Sequence, residues 1–380
     1  MPLLPLAGRV VPLLVLAACA SAPRPSPPPE AGPVQPVRIG PGDAKASVLS
    51  PAEIFERIEQ SNHYVLDGHE GPFTDQERNR NARALWPEGM TEIDFPRLKQ
   101  GGPDGSRVVE TESSPEITAL FEQAEPDYEA HRYAKAERYY RRILELKPGY
   151  YPALLEIGNC AYMAGDFQEA VPRFDAAIRA NPLDHRGHFY KADALVELGR
   201  TDEAVVEYAW ALVLRPRHDL LRQGIEARRH RIHRDLRGDL LLPDVMVRQD
   251  GPDTVTIEMP VPVQGGHWLA FGSCKAVWLI DADYRRKKTG SPDHAFSTVE
   301  EQECATLLLA LYKAQREEKG APEDPRLELL GEIFQAGYGD EFIIFELGTR
   351  RAPHLTLLLD DSARRSLHDY VLRYVLVPAK

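Results

Sequence analysis

Cys274 stands between His267 and His294, and Cys304 follows about 30 residues on. A thiolate beside an imidazole is the arrangement of covalent catalysis, so Cys274 served by His267 or His294 is one chemical reading of this chain. It requires an exposed thiol. The stretch HWLAFGSCKAVWLID around Cys274 instead has apolar residues on both faces, as a buried strand does. Two readings compete with the nucleophile: a bridge between Cys274 and Cys304, or two buried free thiols. Closing a loop of about 30 residues would stabilise the domain by roughly 3–4 kcal/mol, but spacing alone does not bring two α-carbons within reach. His63, Asp67, His69 and Glu70 in NHYVLDGHEG are metal-type donors that meet no known ligand spacing. His230 and His233 lack a carboxylate or cysteine to complete a site, and Asp281 and Asp283 read as carboxylates on a strand end. The chain has no GxSxG elbow, no HExxH, no phosphate loop and no dinucleotide glycine pattern. No metal site and no cofactor is expected, and the balance leans away from an enzyme.

What positions these residues begins with export. The N-terminus carries Arg9, an apolar run from Val10, and small residues before Cys19. That is a secretory layout, and the run is too short to span a bilayer. Leu16-Ala17-Ala18-Cys19 resembles the lipobox of bacterial lipoproteins, which implies removal of residues 1–18 and acylation of Cys19. An ordinary signal peptide is the alternative. The proline-rich 19–47 cannot build a core and reads as an extended tether. Ala20 after the cysteine implies, by the same resemblance, a place in the cell envelope at the outer membrane, facing the periplasm. Buried acyl chains such as palmitate anchor at about 0.8 kcal/mol per methylene.

Beyond the tether about 330 of the 380 residues remain, room for two or three domains. A formal charge of -12 argues against wholesale nucleic-acid binding, which needs a surplus of Lys and Arg. In an oxidising compartment Cys274 and Cys304 are free to pair. Cys160 lies within a repeated helix and reads as a small core residue.

That repeat is the strongest internal pattern. Ala136, Ala170 and Ala204, then Tyr140, Phe174 and Tyr208, then Pro148, Pro182 and Pro216 recur every 34 positions. The small residues let two helices approach, the aromatics fill the space beside them, Gly165 and Gly199 permit the turn, and the prolines end each second helix. Around YYPALLEIGNCAYMAGDFQEAVPRFDAAIRANPLD, residues Leu154, Ile157, Gly158, Ala170, Phe174, Ala177 and Pro182 resemble the signature of the tetratricopeptide family. The likeness runs over about 117–218. His131 stands where glycine is usual, Ile143 where alanine is, and His188 replaces a large apolar residue.

The family resemblance implies a concave groove made by the first helix of each hairpin. Carried over, its positions are Thr118, Phe121, Glu122, Glu125, Tyr128 and Glu129; Leu155, Glu156, Asn159, Tyr162 and Met163; and Arg186, Phe189, Tyr190, Asp193 and Glu197. This surface is aromatic and acidic and, with Asn159 alone matching, lacks the set that clamps a peptide carboxylate. It implies a protein or peptide partner with apolar or basic segments. The alternative is that flanking parts of this chain cover it. In the next segment, Leu221, Ile225, Ile232 and Leu236 form a stripe at helical spacing, the polar end cap a solenoid needs. Arg228, Arg229, Arg231 and Arg234 are then a solvated face, or a patch for an acidic partner.

Ser50 and Thr74 open capping boxes, so short helices are expected after each, the second ending at Trp86-Pro87. Residues 100–114 read as a linker. DTVTIEM, HWLAFGSCKAVWLID, FIIFEL and HLTLLL read as strands, YRRKKTGSPDH as a basic loop, and helices are expected over about 297–318, 324–336 and 361–370. The expected fold class is α+β multidomain: 1–18 signal, 19–47 tether, 48–115 a small helical region with linker, 117–237 an all-α solenoid of three hairpins with a capping helix, and 240–380 a C-terminal α+β domain. Two functions follow. One is a membrane-anchored adaptor or scaffold for protein–protein interaction. The other is an envelope enzyme or small-ligand binder acting through the C-terminal region.

Overall fold

The computed structural model describes residues 50–379 apart from 60, 62, 90–92, 101–105, 262–265 and 320–322. The expected signal sequence, Cys19 and the tether lie outside the described residues. Among the described residues no helix is long and apolar enough to cross a membrane.

The chain opens with α1 (Pro51–Glu59), β1 (Tyr64–Glu70) and α2 (Asp75–Leu85). Thr74 and Glu77 exchange the two bonds of a capping box, and Trp86 ends the helix before Pro87. β1 runs through the NHYVLDGHEG segment, for which no strand was expected. The span read as a linker is a hairpin of β2 (Pro96–Gln100) and β3 (Ser106–Glu110), paired antiparallel.

Six helices follow: α3 (Pro115–Glu129) and α4 (Tyr133–Leu146), α5 (Tyr151–Met163) and α6 (Phe167–Ala180), α7 (His185–Glu197) and α8 (Thr201–Leu214). The repeated residues meet where the period places them. Ala136, Ala170, Ala204, Phe174 and Tyr208 are fully buried. A Cβ on Gly158 would stand 2.5 Å from the Phe174 ring, so only glycine lets these two helices close. The turns need left-handed backbone, at φ 80 for Gly165 and φ 72 for Gly199. His131 takes φ 58 at the equivalent turn, a conformation that costs a side-chain-bearing residue roughly 1–2 kcal/mol.

The cap differs from the single helix expected. It is α9 (Asp219–Ala227), α10 (Arg229–Ile232) and β4 (Arg234–Leu236). His233 turns left-handed at φ 52, ending the helical spacing, so Leu236 leaves the stripe and pairs with Leu376. The solenoid does not end on a polar face. The outer side of α8 is covered by C-terminal elements: His368 stacks on Trp210 at 4.3 Å and its Nε2 lies 3.1 Å from the Val206 carbonyl.

From β5 (Met246–Gly251) and β6 (Thr254–Val261) the chain forms a three-stranded sheet in the order β1-β6-β5, with β1 parallel and β5 antiparallel to β6. Val255, Ile257 and Met259 face the core. Over them lies α11 (Gly266–Ile280), the segment expected to be a strand. Ten of its residues are buried, and a helix enclosed on all sides shows no polar face to mark its period. The rest is mainly helical: α12 (Ala282–Thr289) where a basic loop was expected, α13 (Thr298–Lys319), α14 (Pro325–Gln335), then α15 (Gly339–Phe342) and α16 (Thr349–Arg351) joined by a π-helical stretch, Ile343–Gly348. FIIFEL and HLTLLL are therefore helical rather than extended, the latter a 3-10 turn at Leu355–Leu358. Finally α17 (Asp361–Tyr370) leads through another π-helical turn, Val371–Val375, into β7 (Leu376–Pro378), which pairs with β4.

Between α11 and α13 lies a buried ionic network. Lys275 Nζ donates to Glu300 Oε1 at 2.5 Å and to Glu301 Oε1 at 2.7 Å, and Trp86 Nε1 donates to Glu301 Oε1 at 2.9 Å. Glu303 accepts from Trp278 Nε1, Tyr284 OH and Lys288 Nζ at 3.0, 2.7 and 3.1 Å. Cys274 and Cys304, directly beside Lys275 and Glu303, are joined in a disulfide with α-carbons 5.5 Å apart.

Candidate functional site

The bridge removes the thiolate that a nucleophilic Cys274 requires. His267 Nδ1 is engaged instead with Gln315 Oε1 at 2.7 Å, and His294 lies 3.4 Å from Glu300. Asp281 is no strand end; it caps α12 through the Tyr284 amide and pairs with Arg57 at 2.9 Å. The donors of NHYVLDGHEG do not converge. His63 Nδ1 meets the Asp253 carbonyl at 2.7 Å, and His69 sits between the Gly71 carbonyl and Glu77. Among the described residues no group of three or more His, Cys, Asp or Glu could hold a metal ion. His230 follows suit, its ring 3.3 Å from the Arg229 Nε.

The concave face of α3, α5 and α7 divides in two. At α7 the predicted residues are already used. Asp193 is buried, accepting from Tyr208 OH and from Arg228 Nη2, each at 2.5 Å. Phe189 packs on Tyr190 and Tyr208, and Arg228 lies over its ring at 5.7 Å. A Cβ on Gly224 would come 2.6 Å from Phe189, so glycine there lets α9 settle on the ring. Glu197 pairs with Arg231 at 2.5 Å. Of the arginines expected to be solvated, Arg228 therefore turns inward, while Arg231 stays exposed and pairs with Glu197 at the rim, and together they close this end of the groove.

The boundary runs between α7 and α5. Arg186 is held by Asp184 and by Asp94, at 2.5 and 2.7 Å, with its guanidinium 3.6 Å over the Phe95 ring. Phe95 reaches that position with φ 42 and meets Tyr151 edge-on. Leu155 is buried in the core. Sequence reasoning missed Phe95 and Asp94, because nothing local marks a loop residue as the lid of a distant helix.

The remainder of the face is open. Phe121 half-enters the first hairpin against Tyr140 and Tyr150, while Tyr128 packs edge-on to Tyr133. Glu122 and Glu129 are exposed, and Thr118 and Glu125 half-exposed. Asn159 donates to Glu156 Oε2 at 3.2 Å, Tyr162 leans on Phe167, and Met163 is exposed. Burial raises the Glu156 carboxyl above its ordinary range, with the Asn159 bond and Arg186 only partly opposing it. Tyr128 and Tyr190 are raised in the same way, first by burial and then by Glu156. Cys160, behind this surface, is a buried free thiol pushed up to about 12 by burial and neighbouring acids.

One titration follows. Burial, exceeding the pull of Arg228 and Tyr208, raises Asp193 from 3.8 to about 6. A folded pKa above the unfolded one means the folded state binds the proton more tightly. That contribution to stability is present below about pH 4 and is lost as the pH rises through 6. The Asp193 carboxyl carbon is expected to titrate near 6 by NMR, and Asp193→Asn to flatten the stability slope between pH 4 and 6; a midpoint below 4 would show that the arginine dominates.

Residues 127–188 and 162–217 each match the tetratricopeptide repeat family, so the helices between carry tetratricopeptide repeats. Solved structures similar to the region include the Yersinia enterocolitica type III secretion chaperone SycD in complex with a peptide of the translocator YopD. It is 18% identical and has a TM-score of 0.29, with 32% of this chain and 92% of that one covered. The Sgt2 domain of Aspergillus fumigatus is 17% identical over 31% of this chain and 80% of that one, TM-score 0.30. The Arabidopsis OM64 domain is 19% identical over 30% and 94%, TM-score 0.28. Curated proteins gave no match.

Proposed function

We propose that the protein is a lipid-anchored adaptor of the bacterial cell envelope, held at the outer membrane through acylated Cys19, whose repeat groove docks a protein or peptide bearing basic and apolar residues. The observation that carries this reading is the division of the concave face. Its third helix is closed by arginines of the same chain, while the first two leave Glu122, Glu125, Glu129 and Glu156 beside Tyr128, Tyr162 and Met163 without an ion pair among the described residues, Arg186 only partly offsetting Glu156. A basic side chain would relieve Glu156, and aromatic anchors would supply contact area. The anchor rests on Leu16-Ala17-Ala18-Cys19, and a disulfide in the body supports an oxidising compartment.

Crosslinking and pull-down from native envelopes tests both halves. Glu125→Lys with Glu156→Lys is expected to lower recovery of the partner at least about tenfold, consistent with 2–5 kcal/mol for reversed interface charges, while leaving palmitate labelling intact. Cys19→Ala is expected to abolish palmitate labelling and release the protein from membranes. Unchanged recovery in the charge-reversed protein sinks the groove, and palmitate labelling that survives Cys19→Ala sinks the anchor.

A further inference from the structure

The outer edge of β1 carries features that the groove does not absorb. Its seven residues pair with β6 in unbroken parallel register, from Tyr64 opposite Val255 to Glu70 opposite Val261, and β1 stands at the end of the sheet. The His63 carbonyl accepts from the Val255 amide and the Gly71 amide donates to Val261. In a parallel ladder alternate residues bond to the neighbour. Leu66, Gly68 and Glu70 therefore turn their amides and carbonyls away from β6.

Such an edge is ordinarily blunted by lysine, proline or a bulge; β1 contains none of them. Its flanks are apolar instead, with Val65 45%, Leu66 57% and Val261 52% exposed. Val261 lies over Gly68, where a Cβ would come 2.7 Å from its methyl, so the surface beside Leu66 is continuous. Among the described residues, the outward Gly68 amide donates to the Asp67 side chain alone, at 2.8 Å.

Charge selects what fits. Asp67 stands opposite Glu258 in the register, a pairing of like charges that destabilises adjacent strands. Neither has an ion pair among the described residues. Arg248, whose charge reaches both, donates to Asp250 at 2.5 Å. Glu70 adds a third acid at the end of the edge.

We propose that this edge is a second docking surface, independent of the groove, which takes an extended basic segment of a partner protein as an added strand. Backbone bonds to Leu66, Gly68 and Glu70 supply register, apolar residues of the segment cover Leu66 and Val261, and a Lys or Arg on the other face meets Asp67 and Glu258. Residues 20–41 of this chain, with eight prolines, lack the run of amide donors the edge requires.

The test uses the full processed protein and a fluorescein-labelled heptapeptide of alternating lysine and valine, read by anisotropy. Binding is expected, with loss of at least about tenfold when alternate peptide amides are methylated, since the charge persists and the ladder does not. Leu66→Pro, which removes an outward amide, and Asp67→Lys, which is exposed and leaves the backbone alone, are each expected to weaken binding similarly. Glu125→Lys with Glu156→Lys is expected to leave it unchanged. Equal affinity for the methylated peptide overturns the proposal, as does indifference to Asp67→Lys. A concentration-dependent dimer that Leu66→Pro dissolves while the peptide fails to bind overturns it in favour of a second copy.

Discussion

Lys275→Met is expected to lower the stability of the folded protein by on the order of 3–5 kcal/mol at neutral pH, because it strands buried acids without their cation. Lys275 is 3% exposed and shared between Glu300 and Glu301. Against the cost of burial, Lys275 and His294 hold Glu300 down to about 2, whereas burial prevails at Glu301 and raises it. In the wild type the Glu300 contribution is present above its unfolded pKa near 4.5 and is lost as the pH falls through 2. Without the lysine, burial governs both acids and raises both folded pKa values. The variant is then expected to gain more stability than the wild type as the pH falls from 7 towards 5, because Glu300 as well as Glu301 takes up its proton above the ordinary range. Urea midpoints at the two pH values read this directly. Adding Glu300→Gln and Glu301→Gln is expected to restore much of the loss. A variant within about 1 kcal/mol of wild type and with an unaltered slope would mean that Lys275 is not the counter-charge.

Replacing Cys274 and Cys304 with alanine is expected to cost about 3–4 kcal/mol, as the crosslink spans a separation of 30 residues. Reduction should give a similar loss in thermal stability. Denatured, unreduced protein should show the Cys160 thiol reactive and neither of these two; reaction at Cys274 or Cys304 would remove the bridge. Cys274 adjoins Lys275 and Cys304 adjoins Glu303, so the two losses should not add. Once the helices part, water reaches Glu300 and Glu301 and the missing lysine matters less.

Legibility followed the range over which each element is determined. The hairpins could be read because Ala136, Ala170 and Ala204 answer to neighbours within one repeat. The capping box at Thr74 is equally local. By contrast α11 is apolar on every side, and Tyr64–Glu70 forms a strand only because β6 lies beside it. At the candidate site the acidic and aromatic character of the first two helices could be read from their family positions. Closure of the third could not, since it depends on Arg228 and Arg231, which lie beyond the repeats, reaching Asp193 and Glu197.

The parallel ladder between β1 and β6 also sets a timetable. It joins segments as far apart as His63 and Asp253, 190 positions along the chain, and such contacts pay a large loop-closure entropy before they return anything. The repeats, built from neighbours, are able to form while β1 still waits. A chain emerging from its N-terminus therefore carries β1, with Val65 and Leu66, unpaired until residues 254–261 have followed, and assembly of this sheet is expected to be the slow, aggregation-exposed step of folding.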